Sequence, residues 1–284
     1  MKQSILYVNG RFVAEKRASV SVSDLGLLRA YGVFDYTRTY NREPFRLMDH
    51  LRRLEHSANA IELDLPWSRK ELAELVYRTL DKNPSGEKGI RIIATGGESP
   101  DAFTSAGKPN LIIIAKPIHV YPKRFFSDGV KIITFPCKRQ IPEAKTLNYT
   151  QAIQALRRAG QNSAEEALYT HDGIVTECTV CSFFAVKDRT LITAGKDVLD
   201  GITRKTILEL VRGHVPVEYR FVRISEIPSL DEAFFTGSSH EVVPVVQIDG
   251  TRIGDKRPGP ITQEVMRAFR EYTEKNESLA VVSA

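Results

Sequence analysis

One lysine of this sequence lies where its amine could do chemistry. Lys145 is part of the segment Pro-Glu-Ala-Lys-Thr-Leu-Asn-Tyr (142–149), in which Glu143 is the only other charged residue. Most lysines in loops are solvated and unreactive. Where small and apolar neighbours exclude water, the pKa of the amine falls and the amine can form an imine with an aldehyde. Taken alone, the spacing allows Lys145 to be either an ordinary solvated lysine or a desolvated, reactive one.

Common catalytic motifs are absent from the sequence. It has no G-x-G-x-x-G after a predicted strand, no G-x-x-x-x-G-K-[ST], no G-x-S-x-G and no H-E-x-x-H. Cys178 and Cys181 form a single C-x-x-C pair, and a strand at this position would place the thiols on opposite faces. The six histidines show no ligand spacing. We therefore expect no metal site, and three reduced, structural cysteines.

Composition indicates an ordinary globular enzyme. The 284 residues are 42% hydrophobic and 26% charged, enough for one large or two moderate domains. The 40 basic residues are interleaved with 35 acidic ones, without a run of five like charges, which argues against a nucleic-acid partner. No apolar stretch approaches the roughly 18 residues of a membrane span, and no signal segment is evident. We expect a cytoplasmic protein that does not bind membranes.

The first part of the chain has the periodicities of an α+β domain. Asn9-Gly10 lies between two apolar runs, which is typical of a hairpin turn. Leucine, alanine and isoleucine recurring at steps of three and four predict a helix over 47–61, with Asp49 as its N-cap. Ser68 and Glu71 form a capping-box pattern at the start of a second helix. The other predictions are a hairpin over 6–14, strands at 32–40, 89–94 and 110–115, and the end of the second helix at Leu80.

A second pattern, richer in strands, follows a proline-containing stretch. We predict a small N-terminal α+β domain at 1–116, an interdomain linker at 117–127 and a large C-terminal domain at 128–284 that carries Lys145. The predicted elements of the second domain are strands at 130–135, 182–186, 190–193 and 233–235, a hairpin around Asp172-Gly173, helices at 149–159, 201–211 and 260–274, and a tight turn at 237–239.

Three motifs in this order resemble the class IV aminotransferases, which depend on pyridoxal 5'-phosphate (PLP). They are K-x-L-N-Y from Lys145, E-x-x-x-x-x-F-F from Glu177 and L-x-G-I-T-R from Leu199. The resemblance covers nearly the whole chain. It implies the two-domain PLP fold type IV, with PLP between the domains, and a homodimer in which the partner's small domain closes part of the substrate pocket. It also implies that Lys145 holds PLP as a Schiff base and then moves a proton between the substrate and the cofactor.

The same resemblance assigns the other cofactor residues. Glu177 matches the glutamate that hydrogen-bonds the pyridine nitrogen, and a carboxylate there keeps this nitrogen protonated. Leu199 matches a leucine that packs on the PLP ring. Tyr149 is expected to place its hydroxyl near the phenolic oxygen of the cofactor, as the tyrosine of the branched-chain motif does.

Three places are expected to bind the phosphate of PLP. Gly201, Ile202 and Thr203 open a helix, whose backbone N–H groups and dipole favour an anion. Ser238 and Ser239 resemble the second phosphate loop of the family, with serine where threonine is usual. The third is Arg53, about 120° from the apolar stripe of its helix, which matches the family's phosphate-binding arginine and need not be buried in the core.

The residues expected to bind substrate give conflicting signals. Phe34, Tyr36 and Arg38 lie in F-D-Y-T-R, which resembles the F-E-G-x-R strand of branched-chain members but has tyrosine in place of glycine. The carboxylate-binding R-x-H of typical D-amino-acid members is absent, since Asp-Ala-Phe (101–103) stands there. If D-amino acids are used, another cation must bind them, and Arg29, Arg38 and Arg91 are the candidates.

The sequence thus predicts a transaminase with two substrates, an amino acid and a 2-oxo acid. We favour an aliphatic or branched-chain L-amino acid as donor and 2-oxoglutarate as acceptor. A D-alanine-type transaminase is the alternative, because the spacing K-x-L-N is shorter than in typical branched-chain members. An aminodeoxychorismate lyase, which shares the fold and the cofactor, is a second alternative.

Overall fold

The computed structural model describes residues 4–275 of the chain, which form two compact units. Within the described part, the first unit comprises residues 4–119 and the segment Glu143–Asn148. The second unit comprises Val120–Pro142 and Tyr149–Lys275.

This division differs from the predicted domains in one respect that matters for the site. Lys145 belongs to the first unit rather than to the second, because its segment pairs with a strand of the first unit. The chain first leaves that unit after His119, inside the predicted linker at 117–127. The outermost residues of the predicted domains, 1–3 and 276–284, lie outside the described residues.

The described part of the first unit is built around a six-stranded sheet. Strand order across this sheet is β2-β1-β6-β5-β3-β4, and the pairs β1-β2, β3-β4, β3-β5, β5-β6 and β1-β6 are antiparallel. The elements are β1 (Ile5–Val8), β2 (Arg11–Ala14), α1 (Leu25–Arg29), β3 (Gly32–Tyr40), β4 (Glu43–Pro44), α2 (Leu47–Asn59), α3 (Arg69–Asp81), β5 (Lys88–Thr95) and β6 (Asn110–Pro117).

Helices α2 and α3 form one core with this sheet. Leu51 and Leu54 of α2 are completely buried and belong to the same apolar cluster as Ile90 and Ile113 of the sheet. The predicted capping box of α3 is confirmed: the Ser68 hydroxyl accepts from the backbone N–H of Glu71, and the Glu71 carboxylate accepts from that of Ser68. These helices therefore fix the position of any side chain on the inner face of α2.

The predicted N-cap of α2 is wrong. The helix begins at Leu47, so the cap position falls on Arg46, which has a left-handed backbone (φ 46°), and Asp49 lies inside the first turn. The Asp49 carboxylate accepts hydrogen bonds from the side chains of Arg46 and Arg52. An acidic group in the first turn still suits the positive end of the helix dipole, which is why the composition resembled a cap.

The second unit is centred on a larger sheet of mixed direction. Its order is β12-β11-β10-β14-β15-β7-β8-β9-β13, with β16 paired to β15. The elements are α4 (Arg124–Ser127), β7 (Val130–Pro136), α5 (Thr150–Gln161), β8 (Glu166–His171), β9 (Ile174–Cys178), β10 (Ser182–Lys187), β11 (Thr190–Thr193), α6 (Ile202–Leu210), β12 (Val217–Tyr219), β13 (Val222–Arg223), β14 (Glu232–Gly237), β15 (Glu241–Ile248), β16 (Thr251–Arg252) and α7 (Pro260–Lys275).

The two cysteines of the C-x-x-C pair flank a turn instead of lying on one strand. Strand β9 ends at Cys178, and the backbone N–H of Cys178 donates to the carbonyl oxygen of Cys181 across the turn. The expectation that a strand separates their thiols is therefore wrong, since residues paired across a turn share a face. Both thiols are buried in the apolar core of this unit, and neither is in a disulfide.

The described range, residues 4–275, has neither a membrane-spanning helix nor a metal-binding cluster. No helix in this range is long and apolar enough to cross a membrane. No group of three or more His, Cys, Asp or Glu side chains in the same range is arranged to hold a metal ion.

Candidate active site

The backbone of Lys145 is fixed by the first unit. Phe34 N–H donates to the Lys145 carbonyl oxygen (2.9 Å), Leu147 N–H donates to that of Gly32 (3.0 Å), and Lys145 N–H donates to the Ser57 hydroxyl (3.0 Å). A side chain at Gly32 would prevent this pairing, because its Cβ would lie 2.7 Å from a methyl group of Leu147. The lysine segment therefore behaves as a short extra strand beside β3, also bound to α2.

The side chain of Lys145 is buried against an aromatic ring. Only 7% of the residue is exposed, and Nζ lies 4.8 Å from the ring centroid of Phe34. An amine shielded from water in this way suits imine formation with an aldehyde.

Arg53 occupies a buried ionic cluster on the inner face of α2. Its Nε and Nη2 donate to the two carboxylate oxygens of Asp35 at 2.9 and 2.8 Å, and His50 Nδ1 lies 2.7 Å from Asp35 Oδ1. The position of Arg53 off the apolar stripe of α2 did not require its burial, but only 8% of the residue is exposed. Burial of an arginine is possible here because Asp35 supplies the opposite charge in a bidentate geometry.

The cluster has a definite charge state. Burial alone would raise the pKa of Asp35, but Arg53 and His50 together hold the pKa of this carboxyl well below its usual range. Burial lowers the pKa of His50, so the imidazole is neutral at neutral pH. Its Nε2 is buried without a hydrogen-bond partner among the described residues. The sequence offered only the acidic position of the F-D-Y-T-R motif as a signal for Asp35, and no signal for its pairing with Arg53.

Three of the predicted substrate residues, Phe34, Tyr36 and Arg91, line one face of the first sheet. Phe34 and Tyr36 are two residues apart on β3, so they share a face, and Tyr36 pairs with Arg91 of β5. The Arg91 guanidinium carbon lies 5.6 Å from the Phe34 ring centroid and 5.9 Å from that of Tyr36. Because Lys145 lies against the same Phe34 ring, the structure brings Lys145, Phe34, Tyr36 and Arg91 together.

Tyr36 fills the space that a glycine in the motif would leave open. A Cβ added to Gly89, on the neighbouring strand, would lie 2.2 Å from the Tyr36 hydroxyl oxygen, so the phenol lies directly over the glycine. Burial raises the pKa of Tyr36, against the opposing effect of Arg38 and Arg91. Arg38 is on the same face and stacks over the Tyr40 ring at 4.4 Å.

Arg29 makes other contacts. Its guanidinium lies 4.7 Å from the ring centroid of Phe103 and donates to the carbonyl oxygen of Leu28. The Asp101 carboxylate beside Phe103 accepts hydrogen bonds from Thr104, Phe103 and Ser99. These bonds, those of Thr104 first, lower the pKa of Asp101. Asp101 therefore serves to shape its own loop.

The second unit holds Glu177 by both carboxylate oxygens. Arg139 Nη1 donates to Oε1 at 2.8 Å, and the backbone N–H of Leu199 donates to Oε2 at 3.3 Å. The structure thus brings together the predicted residues Glu177 and Leu199. Burial acts to lower the pKa of Arg139, but the Glu177 carboxylate and, to a smaller extent, Tyr149 at the N-terminal end of α5 raise it. Sequence reasoning missed Arg139, which no motif or spacing marks in a single sequence.

The helix start predicted to bind phosphate has the required form. Gly201 is the N-cap of α6, no side chain within residues 4–275 caps this end, and Ile202 and Thr203 are buried in the first turn. A Cβ at Gly201 would lie 2.4 Å from the Ser182 hydroxyl, so only glycine fits there. The first N–H groups of a helix need partners from outside it, and an anion is a suitable one.

The second predicted phosphate turn follows β14. His240 N–H donates to the carbonyl oxygen of Gly237, which leaves Ser238 and Ser239 at the half-buried tip. The Ser239 hydroxyl lies 3.0 Å from His240 Nδ1, and the His240 ring stacks on Tyr121 at 4.4 Å. Neither serine is hydrogen-bonded to the start of α6 in the described part of the chain.

Each of these groups fits one chemical part of PLP. A buried amine suits the aldehyde, a buried carboxylate suits the ring nitrogen, and an uncapped helix start with a threonine suits the phosphate. The fold and these residues define an enzyme of the PLP-dependent aminotransferase class.

The sequence matches the family described as amino-transferase class IV over residues 32–248, and the chain belongs to this family. Its relatives include a putative branched-chain-amino-acid aminotransferase of Methanocaldococcus jannaschii, 34% identical over 95% of this chain and 96% of the relative. A D-alanine aminotransferase of Staphylococcus haemolyticus is 31% identical over 96% of this chain and 99% of the relative. The enzyme is therefore a transferase that depends on PLP.

Solved structures agree with this assignment. The branched-chain amino acid aminotransferase of Escherichia coli superposes with a TM-score of 0.90 at 26% identity and covers 98% of both chains. A second branched-chain amino acid aminotransferase, from T.th. and determined with pyridoxamine 5'-phosphate, gives 0.87 at 26% identity and covers 96% of this chain and 95% of that one. The predicted family, α+β fold and cofactor are confirmed.

Proposed function

We propose that this enzyme transfers the amino group of an aliphatic or branched-chain L-amino acid to 2-oxoglutarate. The proposal rests on one observation above all: Lys145 and Arg91 lie against the same aromatic ring, that of Phe34. An amine for the chemistry, a guanidinium for a carboxylate and an apolar ring for a side chain are what an amino acid of this class requires.

Each residue has a defined task in this proposal. PLP, when bound, supplies a ring that withdraws electrons from the substrate Cα. Lys145 Nζ would hold the cofactor and, once the substrate amine had taken its place, would carry the proton that leaves Cα. Glu177 would accept the N–H of the ring, and Leu199 would pack on the ring.

The cofactor phosphate is bound by several groups in this proposal. Arg53, fixed by Asp35, supplies a positive charge, and the start of α6 at Gly201–Thr203 supplies backbone N–H groups and the Thr203 hydroxyl. Ser238 and Ser239 add hydroxyl donors. Because all these groups bind a part of the cofactor that does not react, their removal should affect retention of PLP more than turnover.

Arg91 is the proposed partner of the substrate carboxylate. It is exposed to solvent beside the Phe34 ring, whereas Arg38 stacks on Tyr40 and Arg29 on Phe103. A carboxylate bound there would leave the substrate side chain against aromatic groups, which supports an apolar side chain over a charged one.

We further propose that the enzyme works as a homodimer. This is supported by the family assignment and by two large apolar side chains of the first unit that are strongly exposed, Leu27 (64%) on α1 and Phe103 (77%) on the loop between β5 and β6. Arg29 of α1 contacts the Phe103 ring, so the helix and the loop adjoin. Exposed apolar groups in a cluster favour burial by a partner. Light scattering of the enzyme as it elutes from a gel-filtration column would give its mass. A monomer at micromolar concentration would contradict the proposed homodimer.

A D-alanine-type transaminase is the second candidate, and the hydrogen bonds of Asp101 favour it. The Asp101 carboxylate stands where typical D-amino-acid members bind the substrate carboxylate, but its hydrogen bonds to Ser99, Phe103 and Thr104 commit it to its own loop. Its repulsion of a substrate is thereby reduced, and Arg29 or Arg91 could take over binding. The similarity to D-alanine aminotransferases is in accord with this alternative.

The first half-reaction separates the two candidates. The PLP-loaded enzyme is mixed with L-leucine or with D-alanine, and loss of the absorbance of lysine-bound cofactor is followed as pyridoxamine 5'-phosphate forms. Conversion by L-leucine alone supports the proposal, and conversion by D-alanine alone replaces it with the second candidate. If neither amino acid converts the cofactor, both candidates are contradicted and the aminodeoxychorismate lyase becomes the favoured function. Lys145→Ala, which cannot hold the cofactor covalently, is the control for nonspecific loss of colour.

A further inference from the structure

The carboxylate of Glu177 is paired with a guanidinium. The residue is only 6% exposed, and Arg139 Nη1 donates to its Oε1 at 2.8 Å. A buried carboxylate is costly unless a cation or several donors compensate it. Among the described residues, the other oxygen accepts only the longer bond from Leu199 N–H, at 3.3 Å. Since each carboxylate oxygen can accept two hydrogen bonds, Glu177 keeps the capacity to accept another donor.

Arg139 is itself held in place. The same Nη1 that binds Glu177 donates to the carbonyl oxygen of Pro142 at 2.9 Å, three residues before Lys145 in the chain. Burial acts to lower the pKa of Arg139, but the Glu177 carboxylate outweighs this effect. The net shift of the pKa is upward, so the guanidinium stays charged. Arg139 therefore joins the carboxylate to the end of the loop that continues into the lysine segment.

We propose that Arg139 is a positioning residue of the transamination reaction, which acts through Glu177 to keep the proton on the ring nitrogen of the cofactor. This inference rests on the proposed role of Glu177 as the partner of that nitrogen. Arg139 need not touch the cofactor for this purpose.

Arg139 can act on the ring nitrogen through Glu177 because the interaction between charges weakens with distance. A guanidinium in contact with the carboxylate lowers the proton affinity of the carboxylate more than that of a group which the carboxylate binds on another side. The shared proton therefore stays on the ring nitrogen. Without Arg139, the buried Glu177 carboxylate would lose the cation that compensates its charge and would compete with the ring nitrogen for the shared proton. The ring would then lose the positive charge that withdraws electrons from Cα.

The test reads the ring nitrogen directly. Holoenzyme is loaded with PLP labelled with nitrogen-15 in the ring, and the nitrogen-15 NMR signal distinguishes protonated from neutral pyridine. We expect Arg139→Met to move the signal towards neutral pyridine and to lower kcat roughly 10- to 100-fold, as loss of one charge-assisted hydrogen bond implies. Arg139→Lys, which keeps the charge, should restore most of the wild-type signal. A purely structural role would not move the signal in this pattern.

Folding of the variants is not expected to obscure the result. A cavity of about 190 Å³ adjoins Arg139 and Glu177, so a shorter side chain leaves room for water instead of collapsing the core. Arg139→Gln keeps a hydrogen-bond donor without the charge and should resemble Arg139→Met. Arg220→Met, which removes an arginine bound to Glu226 in the same unit, is the matched control and should leave signal and kcat unchanged.

Two outcomes separate this inference from the assignment on which it rests. If Glu177→Gln moves the nitrogen-15 signal but Arg139→Met and Arg139→Gln leave it at the wild-type position, the role of Arg139 is overturned and that of Glu177 stands. If Glu177→Gln itself leaves the signal unchanged, Glu177 is not the partner of the ring nitrogen, and both fall.

Discussion

Glu166 is a buried acid that should make the stability of this enzyme depend on pH. It lies on β8 with 2% of its surface exposed, and its Oε1 accepts hydrogen bonds from the Thr179 hydroxyl (2.6 Å) and from Ala167 N–H (2.7 Å). Burial raises the pKa of Glu166 from 4.5 to about 7, although these hydrogen bonds act in the opposite direction. Glu166→Gln keeps the shape of the side chain and removes its titration.

The magnitude follows from the two pKa values. Between pH 4.5 and about 7, the folded protein holds a proton on Glu166 that the unfolded chain has lost. This contribution to stability is therefore complete below the unfolded pKa and is lost as the pH rises through the folded one. At about 1.4 kcal/mol per pKa unit, the whole effect is about 3 kcal/mol. Between about pH 5 and about pH 8, the loss should be about 2.5 kcal/mol.

The assay is urea unfolding followed by circular dichroism. Wild type and Glu166→Gln are compared at both pH values, with protein and PLP concentrations held constant because bound cofactor shifts apparent stability. The free energy of unfolding of wild type minus that of the variant should decrease by the stated amount on going to the higher pH. Glu165→Gln, a change at the exposed neighbour, should show no such trend. A wild-type minus Glu166→Gln difference that is constant with pH would refute the reasoning.

Three further predictions concern the site. Lys145→Ala should abolish transamination and the absorbance of lysine-bound cofactor while the far-ultraviolet spectrum stays native; residual turnover above background would remove Lys145 from its role. Asp35→Asn should leave Arg53 buried without its counter-charge and lower the free energy of unfolding by about 3 kcal/mol. Both Asp35→Asn and Arg53→Ala should weaken PLP retention on gel filtration. An unaltered PLP dissociation constant in both variants would contradict the phosphate role of Arg53. Arg91→Met should raise KM for the amino acid roughly 10- to 100-fold with a smaller change in kcat, whereas Arg78→Met, which removes an arginine stacked on Phe12 away from Lys145, should not; equal KM values in the two variants would assign the carboxylate elsewhere.

Local patterns in the sequence determined the secondary structure. The turn signals Asn9-Gly10 and Asp172-Gly173 both join adjacent antiparallel strands, and the capping box at Ser68 opens α3. These features succeed because their causes lie within a few residues: a positive φ at the turn, or a hydroxyl that satisfies a free N–H. The wrong predictions for Asp49 and for the C-x-x-C pair also have local causes. A shift of two or three residues in the boundary of a helix or strand changes which residue caps the helix and on which face of the sheet a side chain lies.

The family and its cofactor could also be predicted from sequence. Lys145, Glu177 and Leu199 stand in motifs whose order and spacing identify class IV aminotransferases, and the family match over residues 32–248 confirms that assignment. The individual roles of these residues stay predictions until the variants are measured. Nothing in the sequence resolved the substrate, because specificity depends on the shape of a surface to which distant segments contribute.

The tertiary structure alone decided which charges meet. Asp35 binds Arg53 across 18 positions of sequence, and Arg139 binds Glu177 across 38. It also placed the lysine segment beside β3 in the first unit, against the domain division that the sequence predicted. A single sequence contains periodicity and spacing but no record of which remote residues share a buried site. Such pairs are selected by burial, because a charge withdrawn from water must find its partner wherever the packing of helices and strands provides one.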